Sequence, residues 1–211
     1  VEIGGETYKV ELVYADNETK ADKAVSAASN LVAQGVSIVL GTYGSRQAIA
    51  ASETFKEAGI PAMGVTCTNP QITEGNSHYF RICFTDPFQG IKMADYAYQK
   101  LGYTKAAVIF LKGKDYNEGL AENFAKEFEA KGGTVVDQES YSEGDVDFKT
   151  QLTSILGKNP EMVFCPNYYQ EVGQILAQAE SIGLTVPFLG GDGWDGLEGY
   201  ATADQLKDSY F

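Results

Sequence analysis

The chain has 211 residues, 44% hydrophobic and 21% charged, which is enough apolar material for one large or two small globular domains. Its 29 acidic residues against 16 basic ones leave a net charge of −13, so it has no basic footprint for nucleic acid and no attraction to anionic membrane surfaces. No run approaches the roughly 18 apolar residues of a bilayer span, and the chain opens at Val1 without a leader pattern, so any signal peptide is expected to have been removed or never present.

The predicted elements alternate strand and helix. "YKVELVY" (Tyr8–Tyr14) alternates as a half-buried strand, and "KADKAVSAASNLVAQG" follows as a helix with Val25, Ala28, Leu31 and Val32 on one face. "VSIVL" (Val36–Leu40) is a β-branched run of the kind buried on both faces of a parallel sheet. Helix "SRQAIAASETFKEAG" and strands "PAMGV" (Pro61–Val65) and "HYFRIC" (His78–Cys83) come next. Helix "PFQGIKMADYAYQKLG" opens a second cycle, with Pro87 in its first turn. Strands follow at Ala106–Leu111, Thr134–Tyr141, Met162–Cys165 and Pro187–Leu189, separated by "YNEGLAENFAKEFEAKG", "DFKTQLTSILG" and "YQEVGQILAQAESIG". Such alternation means βαβ units and mostly parallel sheets. The seam falls at "FTDP" (Phe84–Pro87), predicting two α/β lobes over residues 1–85 and 86–211, joined at a hinge.

Open parallel sheets bind ligands beyond the carboxyl ends of their strands, so the residues that follow each strand matter most. In the first lobe these are "GTYGS", with Ser45 at a helix start, and "TCTNP", with Thr66 and Thr68. Hydroxyls beside a helix N-terminus favour a small carboxylate. In the second lobe they are "KGKDY", "PNYY" and "GGDGW", delivering Tyr116, Tyr168 and Asp192, which suit a small ammonium. A zwitterionic α-amino acid held across a cleft fits both. Plainer readings stand beside these: Ser45 as a helix cap, "TNP" as a turn, the tyrosines as rim aromatics, and Asp192 closing its own turn. His78 is the only histidine and sits in a strand pattern, so no catalytic triad assembles. "GKDYNEG" and "GGDGWDG" lack the acidic spacing of a calcium loop, and no helix opens on a GxGxxG or P-loop pattern. Three cysteines without CxxC spacing argue against a disulfide framework or zinc site. A Cys67–Cys83 bridge requires neighbouring strands; buried free thiols are the plainer alternative.

"TCTNPQITEG", "YFRICFTDPFQG", "KDYNEGLAENFAKEF", "DFKTQLTSI", "NYYQEVGQILAQAESIGL" and "FLGGDGWD" resemble the branched-chain amino acid (Leu/Ile/Val-type) substrate-binding proteins of ABC transporters, over nearly the whole chain. The resemblance implies the two-lobed type I periplasmic-binding-protein fold, mostly parallel three-layer α/β sandwiches joined by a hinge. It implies no enzymatic activity and no cofactor or metal. The partners it implies are an amino acid ligand and a membrane permease, with an extracytoplasmic location, periplasmic or lipid-anchored. By position, Ser45, Thr66 and Thr68 resemble the family's carboxylate and amino contacts, Tyr116 and Tyr168 its closing aromatics, and Asp192 its acidic partner for the ammonium. Tyr43, Cys67 and Trp194 are expected to line the side-chain pocket. The resemblance also implies a strand-helix unit ahead of "YKVELVY" and segments after "DSYF", so the chain is read as truncated: either a complementary polypeptide supplies the missing first-lobe parts, or the chain is a trimmed or engineered piece. A ligand-sensing domain on the same fold and an α/β enzyme using Asp192 are the alternative functions.

Overall fold

The computed structural model describes residues 1–211, which form two compact units, Val1–Cys83 and Phe84–Phe211. The first opens on a two-stranded antiparallel pair, β1 (Glu2–Ile3) and β2 (Glu6–Thr7). Helix α1 (Ala21–Ala33) follows, then β3 (Val39–Leu40), α2 (Ser45–Glu57), β4 (Ala62–Gly64), a 3₁₀ turn over Pro70–Ile72 and β5 (Tyr79–Arg81). Strands β3, β4 and β5 form a parallel sheet in that order.

In this sheet Val39, Ala62 and Tyr79 share one register row, and Leu40, Met63 and Phe80 share the next. Side chains alternate across a strand, so the rows face opposite sides. The first row is covered: α1 and α2 pack Ala24, Ala28, Ala48, Ala51 and Phe55 against it. The second row is bare. Leu40 is 70% exposed and Ile82 73%, with Ile38, Val65 and Phe80 also open to solvent. Parallel sheets are ordinarily covered on both faces, so this apolar surface lacks one layer.

The strand expected over Tyr8–Tyr14 does not form. These seven side chains are all exposed and no strand pairs with the segment. Alternation selects the face a strand would bury, but a ladder also needs a partner edge to take its N–H and C=O groups. Strand β3 is likewise shorter than the run Val36–Leu40 suggests, since it pairs through two residues with β4 alone.

The second unit is a three-layer sandwich, with helices packed on both faces of its sheet. It comprises α3 (Asp86–Asp95), which continues as a π-helical turn over Tyr96–Lys100, then β6 (Lys105–Leu111), α4 (Asp115–Ala130), β7 (Thr134–Tyr141), α5 (Lys149–Gly157), β8 (Met162–Phe164), α6 (Tyr169–Ser181) and β9 (Phe188–Leu189). Its sheet is parallel in the order β7-β6-β8-β9. Burial alternates along the strands: Ala106, Val108, Met162 and Phe164 face α3 and α4, while Ala107, Ile109, Val163 and Cys165 face α5 and α6. Phe124 of α4 stacks on Phe164 with ring centroids 4.1 Å apart. Each such fully buried ring contributes about 1.5–3 kcal/mol.

One buried group works against this core. Glu171, in the first turn of α6, has Oε2 buried with no hydrogen-bond partner. Burial pushes its carboxyl above the ordinary glutamate range, with Glu143 adding to the shift and its own backbone N–H and Lys114 opposing it. The native state therefore holds this proton to higher pH than the unfolded chain, and stability falls as pH rises from about 4.3 through the raised native value. Glu171→Gln is expected to raise the urea midpoint at pH 7.5, and the gain is expected to vanish near pH 3.5 in paired melts.

Candidate functional site

In the first unit the candidate groups sit past the carboxyl ends of β3 and β4. Gly44 is the N-cap of α2, and no side chain caps the helix. Ser45 is the first helical residue; rather than capping, its Oγ accepts the Asn69 N–H at 3.1 Å. That bond ties the helix start to the "TCTNP" loop. Asn69 in turn caps the 3₁₀ turn, its Oδ1 accepting the Gln71 N–H at 3.0 Å. The first turn of α2 carries no acidic residue, so the positive end of the helix dipole is left uncompensated.

Arg81 of β5 braces this loop from below. Its guanidinium donates to the carbonyls of Cys67 (3.2 Å) and Asn69 (2.8 Å) and to Thr73 Oγ1 (2.9 Å). The Thr66 hydroxyl is committed to the Tyr43 carbonyl at 2.7 Å. The Thr68 hydroxyl is buried and has no hydrogen-bond partner, so one donor remains unspent beside the helix start. Tyr43 is exposed. Cys67 is fully buried, its Sγ donating to the Thr42 carbonyl at 2.7 Å. It packs in the core of this unit, at the position expected to line the side-chain pocket.

In the second unit Tyr116, Tyr168 and Asp192 come together at the ends of β6, β8 and β9. The Tyr116 hydroxyl donates to Asp192 Oδ1 at 2.8 Å and accepts the Gly193 N–H at 2.8 Å. Tyr168 stacks on the Tyr116 ring, centroids 5.0 Å apart and 20° from parallel. Burial pushes the Tyr116 phenol well above its ordinary value, and the Asp192 charge adds to this, so it remains a donor. Gln89 of α3 completes the cradle. Its amide donates to Asp192 Oδ1 at 3.0 Å, and its carbonyl accepts the Asp192 N–H. Asp192 is half-buried, with both of its side-chain hydrogen bonds on Oδ1. Oδ2 is thus available to an outside donor.

A buried asparagine pair sets the loop bearing Tyr168. Asn167 donates to the Ile109 carbonyl (2.9 Å) and accepts from the Leu111 N–H (2.9 Å) and from Asn117 (3.0 Å). Asn117 also holds the Pro166 carbonyl at 2.8 Å. Sequence reasoning missed Gln89, Asn117 and Asn167. Only the asparagines' places, directly beside Tyr116 and Tyr168, hinted at a role.

Packing accounts for three of the glycines of "GGDGWDG". Trp194 is fully buried, its indole N–H donating to the Cys165 carbonyl at 2.9 Å. It packs in the core of this unit, at the position expected to line the side-chain pocket. A Cβ on Gly190 would collide with the Trp194 ring. A Cβ on Gly191 would come within 2.7 Å of Gln89 Oε1, and one on Gly193 within 2.9 Å of the Tyr116 hydroxyl. Gly190, Gly191 and Gly193 thus let the protein's own side chains pack against the loop backbone, whereas Gly196 adopts a φ of +92°. A cavity of about 330 Å³ lies elsewhere in this unit, lined by Thr185, Val186 and Pro187 ahead of β9 and by Asp204, Gln205 and Lys207, and takes no part in this cluster.

The first unit gathers hydroxyls and an uncapped helix end past its parallel strands, and the second holds a braced carboxylate beside stacked tyrosines. The chain belongs to the periplasmic binding protein family, whose sequence model matches residues 2–210, a family of solute-binding proteins rather than enzymes. It is similar to an amino acid binding protein of Pseudomonas aeruginosa, 37% identical over 90% of this chain and 51% of that protein. It is also similar to Leu/Ile/Val-binding protein homolog 3 of Brucella melitensis, 33% identical over 92% of this chain and 52% of that protein. Among solved structures, the branched-chain amino acid transporter substrate binding protein LivJ of Streptococcus pneumoniae, in complex with isoleucine, superposes with TM-score 0.90 and 32% identity over 99% of this chain and 60% of that one. The leucine binding protein LivK of Thermotoga maritima gives TM-score 0.89 and 32% identity over 93% and 57%. The fold is therefore of the type I periplasmic binding protein class, and the chain spans about half the length of the curated relatives it matches.

Proposed function

We propose that this chain captures an amino acid outside the cytoplasm and passes it to an ABC-transporter permease. The observation that carries the reading is Asp192, whose Oδ1 is fixed by Tyr116 and Gln89 while Oδ2 stays available. An ammonium is the ligand group that such an acceptor selects, with the tyrosine rings stacked beside it. In the first unit, taken by itself, the uncapped start of α2 favours a small carboxylate. Tyr43 is left as the exposed group for contact with the ligand's side chain. The named relatives that bind amino acids, and the isoleucine in one solved neighbour, support the same class of ligand.

A thermal-shift screen tests this reading, since a ligand that binds only the folded state raises the melting temperature. Against the twenty amino acids, their decarboxylated amines, 2-oxo acids and benzoate, only ligands with both charges are expected to shift the melt. Stabilisation by 2-oxo acids or benzoate equal to that by amino acids would reject Asp192 as the ammonium partner.

The bare face of the β3-β4-β5 sheet supports a second element of the reading: a complementary polypeptide segment, helical and apolar on one side, covers Leu40, Val65, Phe80 and Ile82. Such segments would come from the half of the relatives' length that this chain does not span. Leu40→Lys combined with Ile82→Lys is expected to reduce binding of an apolar dye and light scattering by the chain, without lowering its urea midpoint. An unchanged dye signal would show that the face is already covered.

A further inference from the structure

Cys67 and Cys83 stand just past the carboxyl ends of the neighbouring strands β4 and β5, whose register pairs Gly64 with Arg81. Cys83 Sγ lies 3.3 Å from the Cys67 carbonyl oxygen, where it donates a hydrogen bond. The two thiols are close enough for the charge of one to oppose ionisation of the other. Both are reduced in this structure, and they differ in access: Cys83 is half-buried, whereas Cys67 is fully enclosed. Cys165 belongs to the second unit and is buried against Asn167, 3.2 Å from its amide.

We infer that Cys67 and Cys83 are a disulfide-forming pair that closes the "TCTNP" loop onto β5 when a small disulfide oxidant reaches Cys83. The exchange has two steps. The Cys83 thiolate attacks one sulfur of the oxidant, breaking its S–S bond and releasing one thiol. The Cys67 sulfur then attacks the Cys83 sulfur, loses its proton to water, and expels the second thiol. Two thiols of the protein are oxidised and one disulfide of the oxidant is reduced to two thiols. An extracytoplasmic protein meets such oxidants. The bridge spans the segment holding Thr68 and Asn69 and the Arg81 side chain that braces them. It also draws Cys67 Sγ away from the Thr42 carbonyl, releasing the bond that now joins the ends of β3 and β4.

Glutathione disulfide is the probe, followed by iodoacetamide and trypsin, with no ligand present, so the outcome is independent of the amino acid assignment. Cleavage at Lys56, Arg81 and Lys92 puts the two cysteines on separate peptides, 57–81 and 82–92. The expected product is these peptides joined and lighter by two hydrogens. Cys165 should be alkylated only after unfolding. The bridge should persist in Cys165→Ser and be absent in Cys83→Ser. Closing a loop of this size should also raise the melting temperature of the oxidised protein by about 5 °C or more. Recovery of the two peptides unlinked, as separate carbamidomethyl or glutathione adducts, overturns the inference, as does a bridge that engages Cys165.

Discussion

Asp192→Asn is expected to weaken amino acid binding by about 10- to 100-fold, the equivalent of one charge-assisted hydrogen bond of roughly 1.5–3 kcal/mol. The geometry separates this loss from any loss of fold. Asparagine keeps an oxygen at the Oδ1 position, so the Tyr116 hydroxyl and the Gln89 amide retain their acceptor. What changes is the outward atom, where an amide N–H₂ replaces the carboxylate oxygen and confronts the ligand ammonium with donors instead of an acceptor. Titration calorimetry should therefore show the affinity loss with an unchanged melting temperature for the unliganded protein. Equal affinity in the variant would mean that the amino group is read elsewhere. An equal melting temperature is the control that keeps a negative result interpretable.

The largest effect on stability belongs to the pairing of Trp194 with Gly190. Trp194→Ala empties a fully buried site and removes one of the two donors to the Cys165 carbonyl, which keeps only the Asn167 N–H. The expected loss is about 3–5 kcal/mol. Gly190→Ala is expected to destabilise too, by about 1–3 kcal/mol or more, because the added methyl collides with the rigid indole rather than with a side chain that can swing aside. The two changes should not add. Once the indole is gone, the methyl at position 190 enters the space it vacated, so the double variant should be no less stable than Trp194→Ala alone. Urea melts followed by circular dichroism measure all three. Simple additivity would show that the glycine is required for a reason other than the tryptophan.

Much of the architecture is legible in the residue pattern alone. The strand at Thr134–Tyr141 falls where the alternation places it, and β6, β8 and β9 lie within a residue or so of their apolar runs. These strands have neighbours on both sides or a helix layer above and below, so local pattern and tertiary environment agree. At Tyr8–Tyr14 they part company: the alternation is as clear as anywhere, but no strand edge pairs with it. Pairing is a property of two segments, and a single-sequence pattern describes only one. The site shows the same division. Tyr116, Tyr168 and Asp192 can be found because each directly follows a parallel strand, a topological address readable from the chain. Gln89 cannot, since it sits on the exposed-looking turn of a helix and meets Asp192 only through the fold, 103 residues away in sequence. The burial of Trp194 is likewise not legible, because nothing in the sequence of its glycine-rich loop marks the ring as enclosed. The glycines make room for an indole tucked back beneath the backbone.

That indole is the only tryptophan in the chain. Its ring lies dry beneath Gly190, and its own residue is two positions from the carboxylate at the centre of the site. The chain therefore carries a single tryptophan, selectively excitable beside its 13 tyrosines, at the loop bearing Asp192, with emission expected well to the blue of solvated tryptophan. Any ligand that shifts the 190–194 backbone changes the packing around that one ring, so binding and unfolding of the second unit can each be followed optically without a label.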